Sequence, residues 1–267
     1  MQRANLAEKD PHRSQLCLHP RFHSRFLTYD RDLIVYLPPG YALQTDRSYP
    51  VLYLQDGQNL FEAHPHSWRI RETADALILS GEIEPLVIVG IAHTGEHRLA
   101  EYTPTADWKQ GGGLAEQYGH LLAEELLPFI AAHYRVRPGP AGTGLGGSSL
   151  GGLAALYLGL KHADVFGKLA VLSPSIWWNH RSILALVSEI APQMPSRPRI
   201  WLDVGESEGP RAITDTELLD RRLRSKGWRP GENLHFQSFP GGTHDEASWS
   251  ARVSPLLRFL FPAPRGF

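Results

Sequence analysis

The sequence predicts an α/β fold, a mostly parallel central sheet with helices on both faces, and three observations carry that expectation. From Pro50 onward, short continuous apolar runs alternate with longer segments of helical spacing. The runs are too uniformly apolar for a sheet that is wet on one side. Glycine and proline, 25 and 21 residues, are scattered through the connections and form no low-complexity linker, so nothing marks a domain boundary and residues 1–267 read as one domain.

The chain opens with a polar segment, Met1 to Ser14, which carries charges of both signs and no apolar run. It reads as a flexible lead-in that does not resemble a secretory signal, which gives a cytoplasmic expectation. Extended segments near Leu16 to Leu27 and Asp32 to Leu37, the second closed by Pro38, Pro39 and Gly40, form an antiparallel N-terminal pair. The covered strands are Val51 to Leu54, Leu86 to Ile91, Leu169 to Leu172, Ile200 to Val204 and Leu234 to Phe239. Helical spacing marks Arg69 to Leu79, Leu114 to His133, Leu150 to Lys161, Ser182 to Ile190, Ile213 to Lys226 and Ser248 to Leu260. Strand followed by helix calls for right-handed parallel crossovers.

Composition narrows the function classes. With 27 Lys and Arg against 28 Asp and Glu, the formal net charge of -1 offers no field for nucleic acid or an anionic membrane. No apolar stretch approaches the roughly 18 residues that a bilayer span requires. The single cysteine, Cys17, rules out an internal disulfide and reads as a small buried apolar residue. His64 and His66 have no partner at a metal-ligand spacing, so no metal and no organic cofactor is expected.

The strongest motif lies in 143–152, Thr-Gly-Leu-Gly-Gly-Ser-Ser-Leu-Gly-Gly. Gly-x-Ser-x-Gly fits in one frame only, Gly147, Ser149 and Gly151, because a frame on Ser148 would place Leu150 at the last position. Such a serine sits on a tight strand-to-helix turn, with glycines letting neighbouring chain pass close, and its oxygen is exposed at a helix N-terminus. The N–H of the next residue, Leu150, is then free to donate to a developing oxyanion. No Lys follows the glycines as a phosphate loop would require.

In an α/β-hydrolase the partners follow in the order serine, acid, histidine. Of the later histidines, His162 lies near a helix end, His235 inside a strand, and His180 too early in the order. His244 remains, in Gly241-Gly242-Thr243-His244-Asp245 between the last strand and the last helix, where a general base belongs. Three carboxylates compete for the acid. Asp203 lies within a strand, Glu206 directly follows Gly205, and Glu208 stands at the loop tip, with a reach that suits the histidine ring. Chemistry alone does not separate Glu206 from Glu208.

With these residues placed, the sequence resembles the putative-esterase family of α/β-hydrolases, which includes enterochelin (siderophore) esterases, feruloyl esterases and mycolyltransferases. The resemblance spans roughly Leu33 to Leu260 and is carried by 52–61 (Leu-Tyr-Leu-Gln-Asp-Gly-Gln-Asn-Leu-Phe), Gly146 to Gly152, Phe166-Gly167-Lys168, 173–178 (Ser-Pro-Ser-Ile-Trp-Trp) and Gly241 to Asp245. It implies Ser149 as nucleophile, His244 as base and, through a Gly-x-x-acid loop on Gly205, Glu208 as acid. It also implies that Gln58 supplies a second oxyanion N–H. Many family members carry Asp where this chain has Glu208.

For the substrate, two adjacent loop tryptophans cannot easily both be buried, which makes Trp177 and Trp178 pocket candidates, with Trp68 beside the Gln58 loop as another. The connection from His93 to Gly113, with Arg98, Glu101, Tyr102 and Trp108, is the expected substrate wall. Little sequence is left for a lid after Leu172, so an open cleft is expected. The implied function is a serine carboxylic-ester hydrolase working through an acyl-enzyme on a polar or bulky small-molecule ester, siderophore-like or an acylated carbohydrate. Acyl transfer to an alcohol, or a non-catalytic binding protein on the same scaffold, are the alternatives.

Overall fold

The computed structural model describes residues 10–64, 66–194 and 196–264. In chain order the strands are β1 (Gln15–Phe22), β2 (Arg31–Leu37), β3 (Val51–Gln55), β4 (Val87–Ile91), β5 (Ala106–Asp107), β6 (Gly111–Gly112), β7 (Thr143–Ser148), β8 (Lys168–Leu172), β9 (Arg199–Gly205) and β10 (Leu234–Phe239). The α-helices are α1 (Ile70–Leu79), α2 (Arg98–Tyr102), α3 (Ala115–His120), α4 (Leu127–His133), α5 (Leu150–Lys161), α6 (Trp178–Ile190), α7 (Pro210–Ser225) and α8 (Glu246–Leu260). One eight-stranded sheet runs β1-β2-β4-β3-β7-β8-β9-β10. Its pairs from β4 to β10 are parallel, and β2 pairs antiparallel with both β1 and β4. This is the expected α/β-hydrolase architecture.

Period-two alternation divides the core between the two faces of the sheet. Val51, Tyr53, Leu169, Val171, Ile200 and Leu202 join one apolar cluster with the side chains of α5. Leu52, Leu54, Ala170, Leu172 and Trp201 join the other with α1 and α8. Each fully buried Leu or Ile contributes about 1.5–3 kcal/mol, so continuous apolar strands are stable only where both faces are covered. Helix α5 is itself buried from Leu150 to Leu160. It sits so close to the sheet that a Cβ on Gly159 would lie 2.1 Å from Leu169 Cδ2.

Several elements depart from the sequence reading. Strand β7 contains no continuous apolar run, because three of its six residues are glycine. The expected helix from Leu114 to His133 is divided by a π-helical stretch, Leu121–Leu126, between α3 and α4. The widened turn ends just before Pro128, which has no N–H for an α-helical bond to residue 124. Cys17 is half-buried on β1. Of the lead-in, residues 1–9 lie outside the described residues, but Ser14 is buried and its hydroxyl donates to Asp75 Oδ2 at 2.6 Å. No helix among the described residues is long and apolar enough to cross a membrane.

Candidate active site

Five parallel strands deliver the site at their C-terminal ends, the end where open α/β sheets bind ligands. The turn after β3 carries Asp56 to Asn59, that after β7 carries Ser149, and that after β8 carries Ser173 to Trp177. The turns after β9 and β10 carry Glu206 to Glu208 and Thr243 to Asp245.

Ser149 joins β7 directly to α5 with φ 59° and ψ −123°, a conformation that costs about 1–3 kcal/mol and persists only where surroundings enforce it. Three backbone bonds do so: its N–H donates to Leu172 O at 3.0 Å, and its carbonyl accepts from Ser175 N at 3.0 Å and Leu153 N at 3.1 Å. The motif glycines allow the close passage this needs. A Cβ on Gly147 would lie 2.7 Å from Gln55 Oε1 and 2.8 Å from the Gly151 carbonyl carbon.

The Ser149 hydroxyl lies 2.9 Å from His244 Nε2 and 3.2 Å from Ser175 Oγ. On the other side of the ring, His244 Nδ1 lies 2.8 Å from Glu208 Oε2. An ionised carboxylate only accepts, so Nδ1 carries the proton and Nε2 is left to accept from Ser149. Trp249 packs edge-on to the imidazole with centroids 5.0 Å apart. Glu208 has a 3% exposed side chain. Burial pushes its pKa up, yet hydrogen bonds from His244, from the Ser173 hydroxyl at 2.5 Å and from the Gly205 N–H at 2.7 Å hold it below the usual carboxylate value. Glu206 points elsewhere and accepts from Ser238 Oγ at 3.0 Å.

Across the cleft, Asp56 is left-handed at φ 58° and leads into a 3-10 turn, Gly57–Asn59. Arg98 grips its carboxylate with Nε and Nη2, both at 2.7 Å. Gln58 is the second residue of that turn and Leu150 the first of α5, so neither N–H has a helical acceptor. The Gln58 side chain accepts from His93 N at 3.3 Å.

A cavity of about 300 Å³ opens beside His244 and Ser175, walled by Pro174, Ile176, Trp177, Val204 and Ala212, with Arg211 and Asp215 adding polar groups. The aromatic candidates divide at this rim. Trp177 is 41% exposed and lines the cavity. Trp178 is core, its indole N–H donating to Thr105 O at 2.8 Å and its ring packed on Gly112. The two tryptophans part where the chain turns toward α6, with left-handed backbone at Asn179 to Arg181 directly after Trp178. Tyr102 and Trp68 are also buried, at 0% and 3%, which removes both from the cleft wall, and Arg98 is engaged by Asp56.

Sequence reasoning missed Arg252 and Ser173. Arg252 is fully buried beneath the acid loop and bonds to Asp203 and Ser173. Its signal was an arginine on the apolar stripe of α8, between Trp249 and Val253, Leu256, Leu257 and Leu260. Asp203, weighed as an acid, instead accepts from Arg252 Nη1 at 2.9 Å and from Trp201 Nε1 at 2.7 Å. Burial raises its pKa to about 6, despite the neighbouring guanidinium.

The sequence profile of the Putative esterase family matches residues 24–260. The chain belongs to that family. It is an esterase, a carboxylic ester hydrolase. The uncharacterized protein YbbA of Bacillus subtilis is 27% identical over 245 residues, covering 87% of this chain and 93% of that protein. The iron(III) salmochelin esterase of Escherichia coli is 30% identical over 235 residues, covering 82% of this chain and 51% of that protein, so this esterase spans about half the length of that relative. Among solved structures, the IroE-like serine hydrolase of Shewanella oneidensis superposes with a TM-score of 0.76 at 24% identity, over 92% of this chain and 80% of that one. At that identity the likeness speaks for the fold.

Proposed function

We propose that Ser149 is the nucleophile of this esterase, His244 its general base and Glu208 the acid that orients the base. Ser149 attacks the ester carbonyl while His244 Nε2 takes the hydroxyl proton, and the tetrahedral oxyanion is held by the N–H groups of Leu150 and Gln58. Protonation of the leaving alcohol by His244 gives an acyl-enzyme, which water attacks by the same route in reverse. The observation that carries this reading is the continuous chain from Ser149 Oγ through His244 to Glu208, with links of 2.9 and 2.8 Å, at a residue held at φ 59°.

The substrate we propose is a polar or bulky ester. Only five residues separate β8 from α6, so no lid folds over the cleft from that connection. The salmochelin esterase relative favours a siderophore-like ester, and an acylated carbohydrate fits the same open site. A fluorophosphonate probe should label the protein at Ser149, and Ser149→Ala should abolish both labelling and p-nitrophenyl acetate turnover. Turnover at parental rate by pure Ser149→Ala protein would refute the assignment. A panel of catecholate siderophores, acetylated sugars and short acyl esters then ranks the substrates by kcat/KM.

A further inference from the structure

Arg252 lies on the apolar stripe of α8, where an unpaired guanidinium would cost several kcal/mol, and it is 0% exposed. Its two terminal nitrogens reach four separate segments of chain. Nη1 donates to Asp203 Oδ1 on β9 at 2.9 Å and to Ser173 Oγ after β8 at 2.8 Å. Nη2 donates to Ser248 Oγ at 2.7 Å, to the Thr243 carbonyl at 3.1 Å, and to Glu208 Oε1 at 3.4 Å. Thr243 immediately precedes His244, so one side chain touches both the loop of the acid and the turn of the base.

The surrounding backbone makes room for this group. A Cβ on Gly205 would lie 2.7 Å from Nη2 and 2.3 Å from the Gly242 carbonyl oxygen, and one on Gly242 would lie 2.9 Å from Nη2. Ser207 N also donates to Gly242 O at 2.9 Å, so the two turns are joined directly above the guanidinium. Ser173, at φ 41°, donates its own proton to Glu208 while accepting from Arg252 and from Trp249 Nε1 at 3.1 Å.

We propose that Arg252 is a positioning residue for ester hydrolysis, locking the acid loop to the base turn so that Glu208 stays on His244, with Asp203 as its anchoring counter-ion. The inference rests on the Ser149–His244–Glu208 reading above. Arginine suits the task because its planar fork serves several acceptors at fixed angles, whereas a lysine ammonium is a point charge. Glu208 touches the imidazole, Arg211 and Asp215 on α7 line the same cavity, and Glu206 on the acid loop, Asp203 on β9 and Asp245 and Glu246 at the base turn lie nearby; Asp215 is paired with Arg181 and Arg211, and Glu246 accepts from Asn59 Nδ2 at 3.1 Å. Glu206 is engaged by Ser238, and Asp245 by Thr243 Oγ1 and Ser248 N. Asp203 and Arg252 are therefore the charges whose removal acts on His244 through Glu208.

The test measures kcat, KM and the pH profile of kcat/KM on p-nitrophenyl acetate, with thermal melts, for Arg252→Met, Arg252→Lys, Asp203→Asn and Glu208→Gln. Arg252→Met should lower kcat tenfold or more with KM within about twofold, and Arg252→Lys should recover part of the loss. Asp203→Asn removes the negative charge that Asp203 carries above about pH 6 and disfavours the imidazolium there, so its acidic limb should move to lower pH by up to about half a pH unit. A purely structural role would lower Tm and leave the limb in place. If Arg252→Met does not fold, Arg252→Lys and Asp203→Asn carry the test. Parental kcat and an unmoved pH profile in the folded variants, alongside an impaired Glu208→Gln, would overturn the proposal. An unimpaired Glu208→Gln would instead overturn the triad reading beneath it.

Discussion

Glu208 and Glu206 are separated by one serine, and the turn between them decides their chemistry. The 3-10 turn Glu206–Glu208 starts at Gly205, so Glu208 folds back onto the Gly205 N–H while Glu206 faces out toward Ser238. Glu208→Gln keeps the volume but presents an amide N–H₂ to His244 Nδ1, which favours the tautomer with its proton on Nε2, aimed at Ser149. A base already protonated there cannot accept the hydroxyl proton. We expect Glu208→Gln to lower kcat by roughly 10²–10⁴-fold with little change in KM, and Glu206→Gln to stay within about twofold of the parent. Steady-state kinetics on p-nitrophenyl acetate check this, and the reverse pattern would move the acid to Glu206. The motif and the chain order each leave one candidate, so the places that Ser149 and His244 take in the candidate site were legible from the sequence. From the residues alone the proposed acid was legible only to within its loop, since spacing does not reveal which way a short turn folds back, and it was the family resemblance that pointed to Glu208.

At the scale of the elements, runs of apolar residues identified strands wherever side chains do the packing. They failed at β7, whose glycines bring Gly146 so near to Ala170 and Leu54 that a Cβ there would lie 2.5 and 2.9 Å from them. In that strand the close approach is the packing, and no apolar signal remains to be read. The helix expected from Ser182 was also legible, but not its lead-in: Asn179, His180 and Arg181 take left-handed backbone at φ 38°, 54° and 65°. None is glycine, and left-handed geometry costs an L-residue roughly 1–2 kcal/mol. Asn179 Nδ2 donates to Thr105 Oγ1 at 2.9 Å and Arg181 Nη2 lies 2.6 Å from Asp215 Oδ1, whereas the exposed His180 has no such tie among the described residues. Replacing His180 with glycine should therefore be neutral or stabilising by up to about 1 kcal/mol, the relief being offset in part by unfolded-chain entropy. Ala185→Gly, exposed in the regular part of α6, should cost about 1 kcal/mol. Urea denaturation of both variants decides the matter, and equal losses would mean that the left-handed turn carries no strain.

Over the whole molecule, stability should depend on pH through two carboxylates that share one guanidinium yet are displaced in opposite directions. Asp203 is fully buried and burial raises its folded pKa to about 6, above the ordinary value of 3.8. The proton therefore favours the folded state: this contribution is present in full below about pH 4 and is lost as pH rises through 6. Glu208 is held below its ordinary 4.5 by His244, Ser173 and Gly205 against the cost of burial, so its contribution is present above that value and is lost as pH falls beneath it. Asparagine and glutamine do not titrate in this range, so each variant removes the titration of its own carboxylate, and groups remote from the Arg252 cluster cancel in the difference. The Tm of the parent minus that of Asp203→Asn should fall between pH 4 and 7, by roughly 2–4 °C for each kcal/mol of proton-linked stability lost in a chain of this size. Parent minus Glu208→Gln should rise as pH is raised toward 5 and be level beyond it. Melts from pH 3.5 to 8 compare the two slopes. Parallel slopes would mean that the guanidinium and the burial of each carboxylate do not divide the pair as the geometry indicates, with Asp203 as the desolvated anchor and Glu208 as the carboxylate kept ionised for His244.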